Sequence, residues 1–286
     1  MGTYFVIVTC RNSADSIYTA LMSLRNQTLT PRYVIVIDDG STDNTAEILG
    51  KMRHEWPSLY IIQHLDLGYD ISRVVRNWNE AITYSREKNL EHTTYHMIAT
   101  DDTIYPPEYA KSLVAFMDDN LEIAIASGNY STYRPEKPHG AGRFVRNSFF
   151  KQTHWDGFYP EVMGYESAVL YEAERLGCKS AVQNNVRFQH SRPLGKNHKF
   201  YEFGASMKTL GYHPLFALGR FTKYLATGEV TGRIGAIYML YYYLAYKPKI
   251  EGYDRLYDQE IRGFIRETQK RRMLSVIFKK PGRKLQ

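Results

Sequence analysis

The sequence predicts an α/β fold: a mostly parallel central sheet with helices on both faces, plus a helical C-terminal extension. Three observations carry that expectation. Apolar runs of strand length alternate with helical patterns from Tyr4 to about Phe188. Several of these runs end in turns that bear Asp, Asn or Thr. Beyond Gly211 the alternation gives way to aromatic-rich helical segments.

The expected strands cover residues 4–9, 33–37, 59–63, 95–99, 122–127 and 180–188. Between them, Ile17, Leu21 and Leu24 keep helical spacing, as do Thr45, Ile48, Leu49 and Met52. A longer helix carries Ile71, Val74, Val75, Trp78 and Ile82, and another carries Tyr109, Leu113, Phe116 and Met117. Ser13 or Asp15 is the expected cap of the first helix, and Ser41 or Thr42 that of the second. Pro106-Pro107 is expected to open the helix behind the 95–99 strand, because proline loses nothing in a first helical turn. Val169, Ala173 and Leu176 mark a later helix that stops at Gly177.

A chain of 286 residues, 43% hydrophobic and 23% charged, can bury a large core. Its two cysteines, Cys10 and Cys178, supply no disulfide framework and no metal cluster, and both are expected in the core of a reducing-compartment protein. No stretch approaches the ~20 apolar residues that span a bilayer. The start lacks the basic flank of a signal peptide, so the expected location is cytoplasmic. The net charge of +7 is uneven: residues 247–286 hold 12 Lys/Arg and 5 Asp/Glu, whereas residues 1–246 hold 25 of each. A neutral body argues against a nucleic-acid enzyme, and a basic tail suits a surface-binding segment. The apolar run inside Lys270 to Lys280, flanked by cations, fits an anionic membrane surface on the inner face, at about 1 kcal/mol per basic residue.

Acidic pairs follow two of the strands. Asp101-Asp102 end the 95–99 strand and Asp38-Asp39 the 33–37 strand, while Thr9 to Asn12 end the first. Strand ends of an α/β sheet are where ligands bind. The first strand is followed by no G-x-G-x-x-G and no Walker loop, which disfavours dinucleotide oxidoreductases and P-loop phosphotransferases. Phosphates would then be held by a divalent cation on the acids and by an arginine, for which Arg73 is a candidate.

Taken together, five pieces resemble the inverting nucleotide-sugar glycosyltransferases of family 2, which have the GT-A (Rossmann-like) fold. They are Val6-Ile-Val-Thr9 with Asn12, Ser23-Leu-Arg-Asn-Gln-Thr28, Val36-Ile-Asp-Asp-Gly-Ser-Thr-Asp-Asn-Thr45, Arg73 with Asn79-Glu-Ala81, and Ala99-Thr-Asp-Asp-Thr-Ile-Tyr-Pro106. The last is similar to the acidic loop of the spore-coat polysaccharide nucleotide-sugar transferases. The likeness is strong over residues 1–120, weaker to about 212 and absent beyond. It implies a domain over 1–212, with a nucleotide-binding half at 1–102 and an acceptor half at 103–212, and a helical, basic extension over 213–286. It implies a UDP- or dTDP-sugar donor, a glycan or lipid-linked acceptor, and Mn²⁺ or Mg²⁺.

The same resemblance implies residue roles. Thr9, Arg11, Asp39, Arg73 and Asp101 would bind the nucleotide, with Asp39 accepting from the base. Asp102 and Asp101 would hold the metal, and His190 would complete its shell. Ala99 departs from the family pattern, which often has a further acid there, leaving a minimal metal site. Glu166 stands where the family keeps the base that takes the acceptor proton, with Asp156 and Glu161 in reserve. Residues 191–203 are an expected lid, and Tyr130, Tyr133, Tyr159 and Tyr165 candidate stacking surfaces. Two other classes share an α/β nucleotide site: a sugar-1-phosphate nucleotidyltransferase, disfavoured because Thr9-Cys-Arg-Asn12 replaces its Gly-rich loop, and a non-catalytic nucleotide-sugar-binding protein.

Overall fold

The computed structural model describes residues 1–90, 92–191 and 199–277. They group into two compact units, Met1–Pro160 with Glu172–Arg192, and Glu161–Tyr171 with Pro193–Gln286. In the first unit the chain runs β1 (Tyr4–Cys10), α1 (Ile17–Arg25), β2 (Val34–Asp38), α2 (Thr45–Glu55), β3 (Leu59–Gln63) and α3 (Ser72–Glu87). It continues through β4 (Tyr95–Thr100), β5 (Thr103–Ile104), α4 (Tyr109–Asp119), β6 (Ile123–Asn129), β7 (Arg143–Arg146) and the short α5 (Asn147–Phe150). Helix α6 (Tyr165–Arg175) leads to β8 (Lys179–Arg187) and β9 (Gln189–His190).

Seven strands form one sheet in the order β3-β2-β1-β4-β7-β6-β8, and β5 pairs with β9 separately. Strands β3, β2, β1 and β4 are parallel, while β7 runs antiparallel to both neighbours. Val34 to Ile37 are all fully buried, as expected of a parallel strand covered on both faces. Alternation sorts the side chains. Tyr4, Val6, Val8 and Cys10 join Leu21, Leu49, Leu113 and Met117 from α1, α2 and α4 in one core. On the other face, the Phe5 and His96 rings lie 5.7 Å apart, and His96 lies 4.8 Å from Phe150 of α5. Val75, Trp78 and Ala81 of α3 are buried too. Helices thus cover both faces, as the sequence predicts.

Strand β7 was not expected, because Arg143-Phe-Val-Arg146 carries a cation at each end. The structure satisfies both. Arg143 is 2% exposed and donates to the carbonyls of His139 (3.0 Å) and Pro138 (3.2 Å). Arg146 donates to the Met117 carbonyl at 2.6 Å. Two further expectations shift. Pro106-Pro107 precede α4 instead of opening it, since the helix starts at Tyr109. Cys178 is half-buried, so only Cys10 is a core thiol, and burial pushes that thiol well above its usual pKa.

The second unit is helical. It holds the start of α6, then α7 (Tyr201–Thr209), α8 (Pro214–Thr227), α9 (Gly232–Ala245) and α10 (Gln259–Ile277). Helices α7 and α9 approach closely because neither has a side chain in the way: a Cβ on Gly204 would strike the Met239 carbonyl, and one on Gly235 the Phe200 ring. Gln269 anchors α10, accepting from the His213 N–H (2.8 Å) and donating to the Tyr171 hydroxyl (3.2 Å). Residues 192–198 of the expected lid and 278–286 of the basic tail lie outside the described residues; Tyr201–Phe203, also assigned to the lid, form the first turn of α7.

Candidate functional site

The site grows from the strand order. The chain steps outward from β1 to β2 to β3, then returns to place β4 on the other side of β1. That reversal is a topological switch point, where helices leave a crevice at the carboxyl ends of the strands. The register brings those ends level: Cys10 lies beside Asp38, and Thr9 beside both Ile37 and Thr100. Thr9, Asp39 and Asp101-Asp102 therefore share one rim.

The rim residues differ in the partners they find. The Thr9 hydroxyl is buried without a hydrogen-bond partner. Arg11 donates to the carbonyls of Asp39 (2.5 Å) and Gly40 (2.8 Å) and to the Asp66 carboxylate (2.6 Å), so it braces the turn after β2. That turn needs glycine: Gly40 has φ +72°, and a Cβ there would lie 2.5 Å from the Leu65 carbonyl. Asn12 reaches across and accepts from the Thr42 N–H at 2.8 Å. Ser13 does not cap α1; its hydroxyl donates to Asp101. Asp43, not Ser41 or Thr42, accepts from the Thr45 N–H (3.0 Å) at the start of α2.

Asp39 is 7% exposed and gripped by Arg73, whose Nε and Nη2 reach the carboxylate at 2.9–3.0 Å. Such a fork is the strong form of a charge-assisted pair. Beside it opens a cavity of about 500 Å³ lined by Asp39, Gln63, His64, Arg73, Asn77 and Glu80. His64 bridges acids, with Nε2 2.8 Å from Glu80 and Nδ1 3.7 Å from Asp39. Asn77 is 2% exposed, and its amide nitrogen has no hydrogen-bond partner. Sequence reading missed His64, Glu80 and Asn77. The signal was available, since Asn77 and Glu80 lie four and seven residues after Arg73 and so share its helix face.

Asp101 and Asp102 are 6% and 4% exposed. The ladder between β5 and β9 sets Thr103 opposite His190, and so places the His190 Nδ1 3.2 Å from an Asp102 oxygen. That nitrogen is buried and makes no hydrogen bond of good geometry. An imidazole nitrogen and a carboxylate oxygen about 3 Å apart match the spacing of neighbouring ligands of a six-coordinate ion with bonds near 2.1 Å. Ser191 closes the turn, its hydroxyl donating to the Asp102 carbonyl at 3.1 Å. Among the described residues no cluster of three or more His, Cys, Asp or Glu could hold a metal by itself. Asp102 and His190 fit a third of such a shell, of the kind that phosphates and water complete. Ala99 belongs to the hydrophobic core.

In the second unit, Glu166 occupies the first turn of α6 and is half-buried. Thr209 of α7 donates to the Met163 carbonyl (2.7 Å), and the Met163 N–H donates to the Tyr253 carbonyl (2.8 Å). Three segments meet there. Glu202 of α7 accepts from the Tyr253 hydroxyl at 3.4 Å. Burial, then the charge of Glu166, push the Glu202 carboxyl up to about 7. Sequence reading named Glu166 and missed Glu202, which no local motif marks. Of the reserve acids, Asp156 is exposed at φ +49° in the first unit and Glu161 is exposed in the second. Tyr159 is 1% exposed, donating to His96 at 2.8 Å, so it is a packing residue.

A family model described as glycosyl transferase family 2 matches residues 5–216. The chain belongs to the family 2 glycosyl transferases. This membership agrees with the rim residues but rests on the match over most of the chain. The uncharacterized glycosyltransferase YibD of Escherichia coli (strain K12) is 27% identical over 125 residues, 44% of this chain and 33% of YibD. The matched stretch is thus a third of that relative's length. Among solved structures, the mannosyltransferase PcManGT from Pyrobaculum calidifontis has a TM-score of 0.58 at 14% identity, covering 98% of this chain and 76% of its own. S. aureus TarS 1-349 has a TM-score of 0.53 at 17% identity, covering 83% and 79%. At these identities the two structures establish the shared GT-A fold.

Proposed function

We propose that this family 2 chain is a metal-dependent, inverting glycosyltransferase that moves a sugar from a UDP- or dTDP-sugar to an acceptor hydroxyl of a glycan or lipid-linked acceptor, in polysaccharide, glycolipid or cell-envelope glycan synthesis. The observation that carries the reading is the convergence of an unpaired Thr9 hydroxyl, the Asp39–Arg73 fork and the Asp102–His190 pair at one switch point. PcManGT was solved with GDP-Man and Mn²⁺ and TarS with UDP-GlcNAc, which supports a nucleotide-sugar donor.

In this reading residues 1–102 bind the nucleotide, 103–212 the acceptor, and 213–286 form an appended extension. Thr9 and Asp39 hold the base, with Arg73 orienting Asp39 and facing the diphosphate. Arg11 holds the turn that presents Asp39. Asp101, steadied by Ser13, faces the ribose. Asp102, Asp101 and His190 would hold Mn²⁺ or Mg²⁺, which would supply positive charge to offset the negative charge growing on the departing diphosphate. Glu166 accepts the proton of the acceptor hydroxyl as that oxygen attacks the anomeric carbon from the side opposite the leaving group. Burial raises the Glu202 carboxyl to about 7, so at neutral pH it carries less than a full negative charge beside Glu166. The basic tail adds attraction to an anionic membrane.

The test is donor hydrolysis and transfer with a panel of UDP-, dTDP- and GDP-sugars, with and without a chelator. Activity that a chelator abolishes and Mn²⁺ restores is the expected result. Undiminished activity in the chelator would remove the metal role, and release of pyrophosphate from a nucleoside triphosphate would favour a nucleotidyltransferase instead.

A further inference from the structure

Helix α9 buries one side and exposes the other. Gly235, Ala236, Met239 and Tyr243 pack inward. Ile234, Ile237, Tyr238, Tyr241 and Leu244 point out, at 72%, 55%, 36%, 59% and 66% exposure. Their spacing of three and four residues makes one continuous stripe along the helix. From Ile234 to Tyr246 there is no charged residue. A stripe of this length with no polar interruption is unusual on a surface that faces only water.

We propose that this face of α9 is a membrane-docking surface, which seats the protein in the headgroup layer of an anionic bilayer. The surrounding charge points to that occupant. Arg233 and Lys247, both exposed, flank the stripe at its two ends, while Lys223 pairs with Glu229 (3.9 Å) and Lys249 with Asp254 (2.9 Å). Cations beside a short apolar stripe are the pattern of an interfacial helix. Tyr238 and Tyr241 add rings with an apolar body and a polar tip, suited to headgroup depth. The helix lies on the bilayer and does not cross it: its 14 residues measure about 21 Å against the ~30 Å hydrocarbon core. No described helix is long and apolar enough to span. A second copy of the chain is a poorer occupant, because a two-fold contact would set this basic surround against itself.

The inference is independent of the nucleotide site and of the tail beyond Ile277. Its test is flotation of the full chain with vesicles of phosphatidylglycerol and phosphatidylethanolamine, beside vesicles of phosphatidylcholine alone. The intact chain should float with the anionic vesicles. The double variant Ile237→Glu/Leu244→Glu should lose more than about tenfold in vesicle binding, while Ile237→Leu should bind as the parent does. Both positions are solvent-exposed, and circular dichroism with thermal melting checks that the variants fold. Flotation unchanged in the double variant, or absent in the intact chain, would overturn the proposal. So would a sedimentation equilibrium in which the glutamates only convert a dimer to a monomer.

Discussion

The two units handle polar chemistry in opposite ways. In the sheet-bearing unit, charged side chains on the rim are locked by partners: Asp39 by Arg73, Arg11 by two carbonyls and Asp66, Asp101 by Ser13. In the helical unit, burial and then the charge of Glu166 raise the Glu202 carboxyl to about 7. Pre-arranged partners suit a site that orients a charged ligand without reorganising. A carboxyl raised toward neutrality suits a site that handles protons. Under the proposed function, ligand binding falls to the first unit and proton transfer to the second.

Substitutions can break that division. The largest effect is expected for Glu166→Gln, which should lower kcat by about 10²–10⁴-fold while leaving donor affinity near normal. Near-normal turnover in this variant would move the base to Glu202, Asp156 or Glu161. Next, Asp102→Ala should weaken Mn²⁺-dependent nucleotide binding at least about tenfold, since removal of outer-shell partners alone costs 10–100-fold. Arg73→Met should then cost roughly 2–3 kcal/mol of stability, because it strands a nearly buried Asp39 carboxylate. Chemical denaturation reads that loss, and a cost near zero would mean that water replaces the arginine.

The smallest effects concern pH. His96 is 1% exposed, and burial pulls its pKa down to about 4. A depressed histidine contributes stability above its unfolded pKa near 6.5, and that contribution falls as pH drops toward 4, by about 3 kcal/mol in all. His96→Phe should flatten this acid limb, although it also strands Asn147 and Tyr159. Glu202 has the opposite sign. Its carboxyl is raised to about 7, so its contribution is present below about 4.5 and fades as pH climbs through 7. Glu202→Gln should therefore gain relative to the parent at pH 8 but not at pH 4, in melting curves at the two values.

The same division explains how much was legible beforehand. The rim was readable because each of its residues follows a strand of four or five apolar positions, and parallel pairing brings successive strand ends level. The place of His190 came from the resemblance alone, because its position depends on a two-residue ladder, β5 with β9, that no periodicity announces. Strand β7 was hidden by its terminal arginines. Glu202 was hidden because α7 has tertiary neighbours, and no sequence motif, to mark it. The aromatic run of α9 was recognised as helical, and its division into a buried and an exposed side is a property of packing.

The pair of Asp102 and His190 is the centre of the account, and calorimetric titration of UDP into the intact chain tests it most directly. Mn²⁺ should tighten UDP binding at least about tenfold in the parent and leave it unchanged in Asp102→Ala and in His190→Ala. Binding that ignores Mn²⁺ in the parent, or that keeps its full Mn²⁺ response in both variants, would contradict it.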